Sequence, residues 1–300
     1  MIFQQNTQAM EQNRISIIIV LYFSKHLLYN LLPNVRKTII NIGEIILINN
    51  SDENLDEFES NDIRIIYPKF NLGYAGGINL GVGKSKYDWL LILNPDIHVN
   101  HFSIEPKHIN NEIIISGFNP KMPGYSLRFP TLLSGFISIA VIDLVYSKTI
   151  DKLIHFRRID PKVDELKVDY VSGALIFTNK KTFEKIGGFD DAYFLYYEET
   201  DFCKRASKLN IPILCTNKIS FTPNAGKASS KNVDKIKIRA GILSCKRYHS
   251  KYSGKLATRG MFLLLRSEYL LMLMILAPIS YIIKSFSQKK GEIAYRMKFL

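Results

Sequence analysis

Three carboxylates stand within four residues in Tyr196-Tyr197-Glu198-Glu199-Thr200-Asp201-Phe202-Cys203, where the sequence predicts the start of a helix. Acids in a first helical turn are favoured by the positive end of the helix, and Asp201 can pair with Arg205 at i,i+4. The same residues could instead aim a general base into a cleft. A further acid, Asp96, closes Leu93-Asn94-Pro95-Asp96 directly after an apolar run. A carboxylate at a strand end can hold a divalent cation, and that cation can neutralise a diphosphate. Asn-Pro is also an ordinary turn dipeptide. Asn71-Leu72-Gly73-Tyr74-Ala75-Gly76-Gly77-Ile78-Asn79-Leu80-Gly81 sets glycines ahead of a helix, where backbone can approach a ligand and the helix end favours an anion. Its spacing is neither the dinucleotide fingerprint nor a P-loop, and a purely structural glycine turn fits equally well.

These residues need a scaffold, and the first two thirds of the chain supply its rhythm. Ile15–Leu21, Glu44–Ile48, Ile63–Tyr67 and Trp89–Leu93 are Ile/Leu-rich runs that fit strands buried on both faces of a parallel sheet. A helix from Ser24 to about Arg36 separates the first two. Strand, crossover, strand argues for an α/β fold with a mostly parallel central sheet, in which ligands bind beyond the carboxyl ends of the strands. Asn49-Asn50-Ser51-Asp52 and Asn94-Pro95-Asp96 both fall at such ends. Farther on, the pattern predicts a strand over Val168–Thr178, a helix over Phe194–Arg205 and short strands at Ile211–Thr216 and Ile219–Thr222. Residues 97–165 give no clear pattern.

Composition places the chain among globular proteins: 300 residues, 47% hydrophobic and 22% charged. Cys203, Cys215 and Cys245 are too few and too unevenly spaced for a disulfide scaffold and suit a reducing compartment. The first fourteen residues lack the apolar core of a signal peptide, so the chain is expected to face the cytosol. Net charge is +13, and its location is informative. Residues 1–226 hold 24 basic and 24 acidic side chains, whereas residues 227–300 hold 16 basic and 3 acidic ones. Such a one-ended excess suits a solvated face or a polyanionic partner. Nucleic acid is disfavoured, because no helix-turn-helix, zinc-finger or RNP pattern is present and the tail also carries a Leu/Met/Ile run. That run, Tyr269–Ile283, would span about 22 Å as a helix, short of the roughly 30 Å of a hydrocarbon core. It reads either as a segment lying in the membrane interface or as a buried C-terminal helix.

In order, these segments resemble the family 2 glycosyltransferases, inverting enzymes of GT-A fold, and especially their bacterial rhamnosyltransferase-like branch. The resemblance runs from Ile15 to Ser229. It rests on the opening strand, Asn49–Asp52, the Asn71–Gly81 block, Leu93–Asp96, Arg128-Phe129-Pro130, Ser172-Gly173-Ala174, Gly187-Gly188-Phe189-Asp190, Tyr196–Arg205 and Asn224–Ser229. It implies a catalytic domain over 1–226 and a basic, membrane-associating helical region over 227–300. Tyr22, Asn49, Asn50, Ser51, Asp52, Asn71, Gly73, Tyr74, Gly76, Gly77, Asn79, Asn94, Arg128 and Gly173 would line the nucleotide-sugar donor. Asp96 would hold Mg²⁺ or Mn²⁺, Glu199 would be the catalytic base, and Glu198 and Asp201 would lie on the acceptor side. Asn49 stands where the family usually has Asp. Pro223 stands where it often has a metal-binding His. The implied reaction moves a sugar, rhamnose first and other hexoses next, from a nucleotide-diphosphate donor to a glycan or polyprenyl-diphosphate-linked acceptor at the anionic cytoplasmic leaflet. A non-catalytic relative that binds a nucleotide-sugar or glycan is the alternative.

Overall fold

The run ISIIIVL is buried along its whole length as β1 (Ile15–Leu21). It has parallel neighbours on both sides, β2 (Ile42–Asn49) and β4 (Trp89–Leu93). The structure, a computed structural model, describes residues 14–109, 111–118, 125–139, 156–158, 163–223, 231–279 and 284–300. Parallel neighbours require crossovers, which α1 (Lys25–Thr38) and α2 (Gly73–Lys84) provide. With β3 (Ile63–Ile66) beside β2, the order β3-β2-β1-β4 reverses direction between β1 and β4. In open α/β sheets that reversal marks the ligand crevice. Tyr22 and Asn94-Pro95-Asp96 leave the sheet there.

The sheet then becomes mixed. The strands β5 (Ile97–Phe102), β6 (Ile114–Phe118), β7 (Glu165–Lys167), β8 (Leu175–Asn179) and β9 (Ile213–Pro223) complete nine. Beyond β4 the order is β8-β6-β9-β5, with β7 also on β9. β8 runs antiparallel to β4 and β6, whereas β6 and β9 are parallel. An apolar core lies against one face of this sheet, with Trp89 and Phe177 stacked 4.9 Å apart inside it.

At the end of the sheet opposite the crevice, one hydroxyl of β1 joins β2 to the residues that lead into β4. Ser16 Oγ donates to Glu44 Oε1 at 2.8 Å and accepts from the Tyr87 N–H at 3.2 Å. Glu44 is buried and its other oxygen pairs with Arg64 at 3.1 Å.

Three expectations are corrected. The strand expected over Val168–Thr178 is β8, shifted to Leu175–Asn179, because Ser172–Ala174 forms a turn ahead of it. The helix expected from Phe194 is α5 (Glu198–Lys208). Tyr196 and Tyr197 have φ of +69° and +67°, which no right-handed helix can include. The two short strands expected at 211–222 are one strand, β9, whose pairing with β6 shifts between Thr216 and Ser220.

The chain divides into two compact units: residues 1–127, 158–194 and 198–227, and residues 128–157, 195–197 and 228–300. The first contains the sheet with α4 (Lys180–Ile186) and α5. The second is helical, with α3 (Leu132–Ile139), α6 (Lys231–Tyr252), α7 (Lys255–Ile279) and α8 (Lys284–Met297). Its core joins Ile139, Ile242, Cys245, Met261, Phe262 and Leu265. Within it His249 is fully buried, Nε2 has no hydrogen-bond partner among the described residues, and burial holds the imidazole down at about 4. A Cβ on Gly135 would fall 2.2 Å from that nitrogen. Tyr269, the first residue of the apolar run, is also fully buried and donates its hydroxyl to the Ile139 carbonyl. Among the described residues no helix is long and apolar enough to cross a membrane. Residues 224–229, which carry part of the resemblance, and residues 280–283 lie outside the described residues.

Candidate functional site

At the end of β2 the polar turn is organised from within. Asn49, only 2% exposed, donates to the Glu53 carbonyl at 2.6 Å and accepts from the Ser51 amide and hydroxyl at 3.1 and 2.7 Å. Asn50 donates to the Gly73 carbonyl at 2.9 Å and accepts from the Leu72 amide at 3.2 Å. Both side chains expected at the donor are thus committed to the scaffold, and Asp52 is the exposed group of the turn. Tyr22 donates its amide to Ser24 Oγ at 3.2 Å, and its half-buried ring lies edge-on to Phe23 at 4.7 Å.

The glycine block is packed tightly. Gly73 has φ +71°, and a Cβ there would lie 2.4 Å from the Phe194 carbonyl oxygen, so only glycine fits. Its amide is taken by Asn71 Oδ1 at 2.8 Å, and the Tyr74 amide by the Phe194 carbonyl at 2.8 Å. The first two amides of α2 are therefore already paired rather than open to an anion. Gly77 lets α2 rest on Val20, where a Cβ would come within 2.8 Å. Gly76 faces Leu72 of its own helix start. Asn79, expected at the donor, grips the Phe189 backbone with both ends, at 2.8 and 2.9 Å. It braces the Gly187-Gly188 turn rather than facing a ligand.

The carboxylates at the start of α5 behave differently. Glu198 is 4% exposed, and burial together with neighbouring Glu199 pushes its carboxyl well above the usual range. A hydrogen bond between the two carboxyls adds to the rise at Glu198 and opposes it at Glu199. Burial raises Glu199 to about 7, opposed by hydrogen bonds from its own amide, the Thr200 amide and Glu198. One oxygen of each carboxyl, Glu198 Oε2 and Glu199 Oε2, is buried with no partner among the described residues. Gly173 faces the Glu199 side chain, where a Cβ would sit at an ordinary 3.6 Å.

Tyr74 links this pair to the end of β4. Its hydroxyl donates to the Gly173 carbonyl at 2.7 Å. Burial and the charges of Glu198, Glu199 and Asp96 together push the phenol well above its ordinary value. One hydroxyl therefore feels the charge of all three acids. Asp96 is exposed, while Asn94 Oδ1 from the same turn is buried and unpartnered. A hard divalent cation takes oxygen donors of both kinds, so the turn fits one. Pro223 pairs with Ile97 across β9 and β5, next in sequence to Asp96, and offers no ligand.

Asp201 corrects an expectation. It is fully buried, accepts from Arg205 Nε at 2.8 Å and from the Tyr193 hydroxyl at 3.4 Å, and cannot meet an acceptor. Arg205 in turn donates to the carbonyls of Ile186 and Gly188. Arg128 belongs to the second unit and is exposed. A separate cluster, Glu105, His108 and Glu165, brings three donor atoms within 4.8 Å of one another. Lys107 already neutralises it, at 2.7 Å from Glu105 and 3.5 Å from Glu165. Sequence reasoning missed the hydrogen bond between Glu198 and Glu199 and the role of Tyr74. Adjacent acids beside a Gly173-type turn were the available signal.

The family model described as Glycosyl transferase family 2 matches residues 16–106. The chain is 29% identical over 232 residues to the low-salt glycan biosynthesis hexosyltransferase Agl10 of Haloferax volcanii, covering 69% of this chain and 67% of that one. It is 25% identical over 152 residues to rhamnosyltransferase WbbL of Escherichia coli, covering 46% of this chain and 54% of that one. It is 22% identical over 167 residues to the N-acetylglucosaminyl-diphospho-decaprenol L-rhamnosyltransferase of Mycobacterium tuberculosis, covering 49% and 54%. The chain thus spans about half the length of these two rhamnosyltransferases. Among solved structures, GalNAc-T7 with UDP, GalNAc and Mn²⁺ aligns with a TM-score of 0.55 at 13% identity, covering 83% of this chain and 55% of that one. That likeness carries the fold, which is GT-A.

Proposed function

We propose, from the premise that the chain belongs to the family 2 glycosyltransferases, that it transfers a hexosyl residue with inversion from a nucleotide-diphosphate donor to an acceptor hydroxyl. The observation that carries this reading is Glu199: a buried carboxyl raised to about 7, with one oxygen unpartnered, in the same electrostatic environment as the exposed acid Asp96.

Glu199 accepts the proton of the attacking hydroxyl. A base near 7 is half ionised at neutral pH and strong enough to take a proton that becomes acidic as the new bond forms. Glu198, hydrogen-bonded to Glu199, orients the carboxyl that faces the acceptor. Tyr74 anchors the Gly173 turn against which the base rests. Asp96, with Asn94 beside it, would hold Mg²⁺ or Mn²⁺, which would shield the charge of the departing diphosphate. Positioned acid–base groups of this kind contribute about 10²–10⁴-fold.

The rhamnosyltransferase names among the relatives favour an activated rhamnose over other hexoses as donor. The decaprenol-linked name of one relative favours a lipid-diphosphate-linked glycan as acceptor. The basic tail would keep such a cleft at an anionic leaflet, since each Lys or Arg near the surface contributes about 1 kcal/mol. Melting of the protein is measured with dTDP-rhamnose, UDP-hexoses and GDP-hexoses, each with and without Mn²⁺, followed by transfer assays with the donor that binds. Whatever binds only the native state raises the melting point. A metal-dependent rise with one donor and transfer from it is the expected result. A donor that binds but is never transferred to any acceptor would make the chain a binding protein.

A further inference from the structure

α7 has two faces of opposite fate. Thr258, Met261, Phe262, Leu265 and Tyr269 are buried within the second unit. On the opposite side Leu256, Leu263, Leu264, Leu270, Leu271 and Met274 are between 46% and 83% exposed. At 100° per residue these six fall within a sector of about 120°, together with the small residues Gly260 and Ser267. A contiguous apolar stripe of this kind is seldom left to water.

Its border identifies the occupant. Arg259 and Arg266 are exposed and lie along one edge of the stripe, three residues after Leu256 and Leu263 and four before Leu263 and Leu270. Lys255 precedes them on the same side. The only acid of α7, Glu268, lies on the other side of the stripe, toward the buried face. Residues 227–300 as a whole carry 16 basic and 3 acidic side chains. An apolar face edged by arginines matches the layered chemistry of an anionic bilayer surface, with acyl chains beneath and phosphates beside them. A second copy of the chain would bring like charges together along the same edge.

We infer that α7 lies flat in the interface of an anionic membrane, with Leu256, Leu263, Leu264, Leu270, Leu271 and Met274 in the acyl boundary and Arg259 and Arg266 on lipid phosphates. This deepens the proposed reading by naming the surface on which it operates and rests on it only for the acceptor. The contact differs from the one expected from the sequence: it begins at Leu256, well ahead of Tyr269, and Tyr269 itself is buried.

The test uses the full chain with vesicles of phosphatidylglycerol and phosphatidylcholine, or of phosphatidylcholine alone. The unaltered chain should sediment with the anionic vesicles, less with the neutral ones, and less in 0.5 M salt. Leu263→Glu/Leu271→Glu, at exposed positions, should lose at least tenfold in vesicle affinity while its donor-induced melting shift and transfer to a lipid-free acceptor stay unchanged. Arg259→Glu/Arg266→Glu should lose the preference for anionic vesicles. Leu264→Trp, which keeps the stripe apolar, should shift its emission to the blue on binding and be quenched by lipids brominated near the headgroup. Unchanged sedimentation of the Leu263→Glu/Leu271→Glu variant, or no blue shift from Leu264→Trp, overturns the inference. So does light scattering that shows a dimer which those glutamates split. Loss of donor binding in the unaltered chain would instead count against the transferase reading, and vesicle binding would be unaffected by it.

Discussion

Glu199 in the sheet unit and His249 in the helical unit each have a buried atom with no partner among the described residues, and the two are held in opposite senses. In the sheet unit, Glu199 is raised to about 7 and faces Gly173, where even an added methyl would find an ordinary 3.6 Å contact. In the helical unit, His249 is lowered to about 4 and its free nitrogen abuts Gly135, where a methyl would fall at 2.2 Å. In both, burial shifts the group toward its neutral form. Only the carboxyl has space beside it and other acids sharing its field. An unpaired buried atom is thus a site for chemistry where a ligand can reach it, and a packing compromise where nothing can.

The largest effect should come from Glu199→Gln, which keeps the shape and removes the base. Transfer should fall about 10²–10⁴-fold while the donor-induced melting shift persists. A transfer rate within tenfold of the parent would remove Glu199 from the reaction. Next, Gly135→Ala should cost about 1–3 kcal/mol in urea unfolding through overpacking against His249. Gly173→Ala should stay within about 0.5 kcal/mol. Equal losses at the two glycines would erase the contrast.

The pH dependences separate the two groups by sign. The base acts when ionised, so kcat/KM should drop about tenfold per unit below pH 7 and level off above it. In the same window the raised carboxyl binds a proton in the folded chain that the unfolded chain releases. Its contribution to stability is therefore present below about pH 4.5 and lost as pH rises through 7. His249 does the reverse: its contribution is present above about pH 6.5 and lost as pH falls toward 4. Melting followed across pH 4–8 by probes in each unit reads both trends. The smallest effect belongs to Glu198→Gln. Its amide can still hydrogen-bond to Glu199, so transfer should stay within about threefold of the parent, whereas a much larger loss would mean that Glu198 works as an anion.

Much of the scaffold is visible in the residues because parallel strands buried on both faces carry unbroken apolar runs. β1 and β4 coincide with ISIIIVL and WLLIL. The mixed half is not visible in the same way. β6 reads IISGF and β7 is three residues long, so neither has a period to detect. The start of α5 is misread because two tyrosines adopt a left-handed backbone that nothing in their chemistry favours. In the site, Glu199 and Asp96 stand out by type and position. Asn79 misleads, since its partner backbone lies 110 residues away and only the fold reveals that both its ends are engaged. Glu198 and Tyr74 draw their character from burial, which a linear pattern of acids and glycines does not encode.

The Ser16 hydroxyl is a datum for the whole molecule. By binding Glu44 on one flank and the Tyr87 amide on the other, it fixes how far β2 and β4 advance beside β1. A slip of one residue moves a strand by about 3.3 Å and turns its side chains to the opposite face. The Asn49 end of β2 and the Leu93 end of β4 are therefore both referred to a contact at the opposite end of β1. Removing that oxygen would loosen β2 and the lead-in to β4 against β1 without touching the Asn49–Asp52 turn or Asp96.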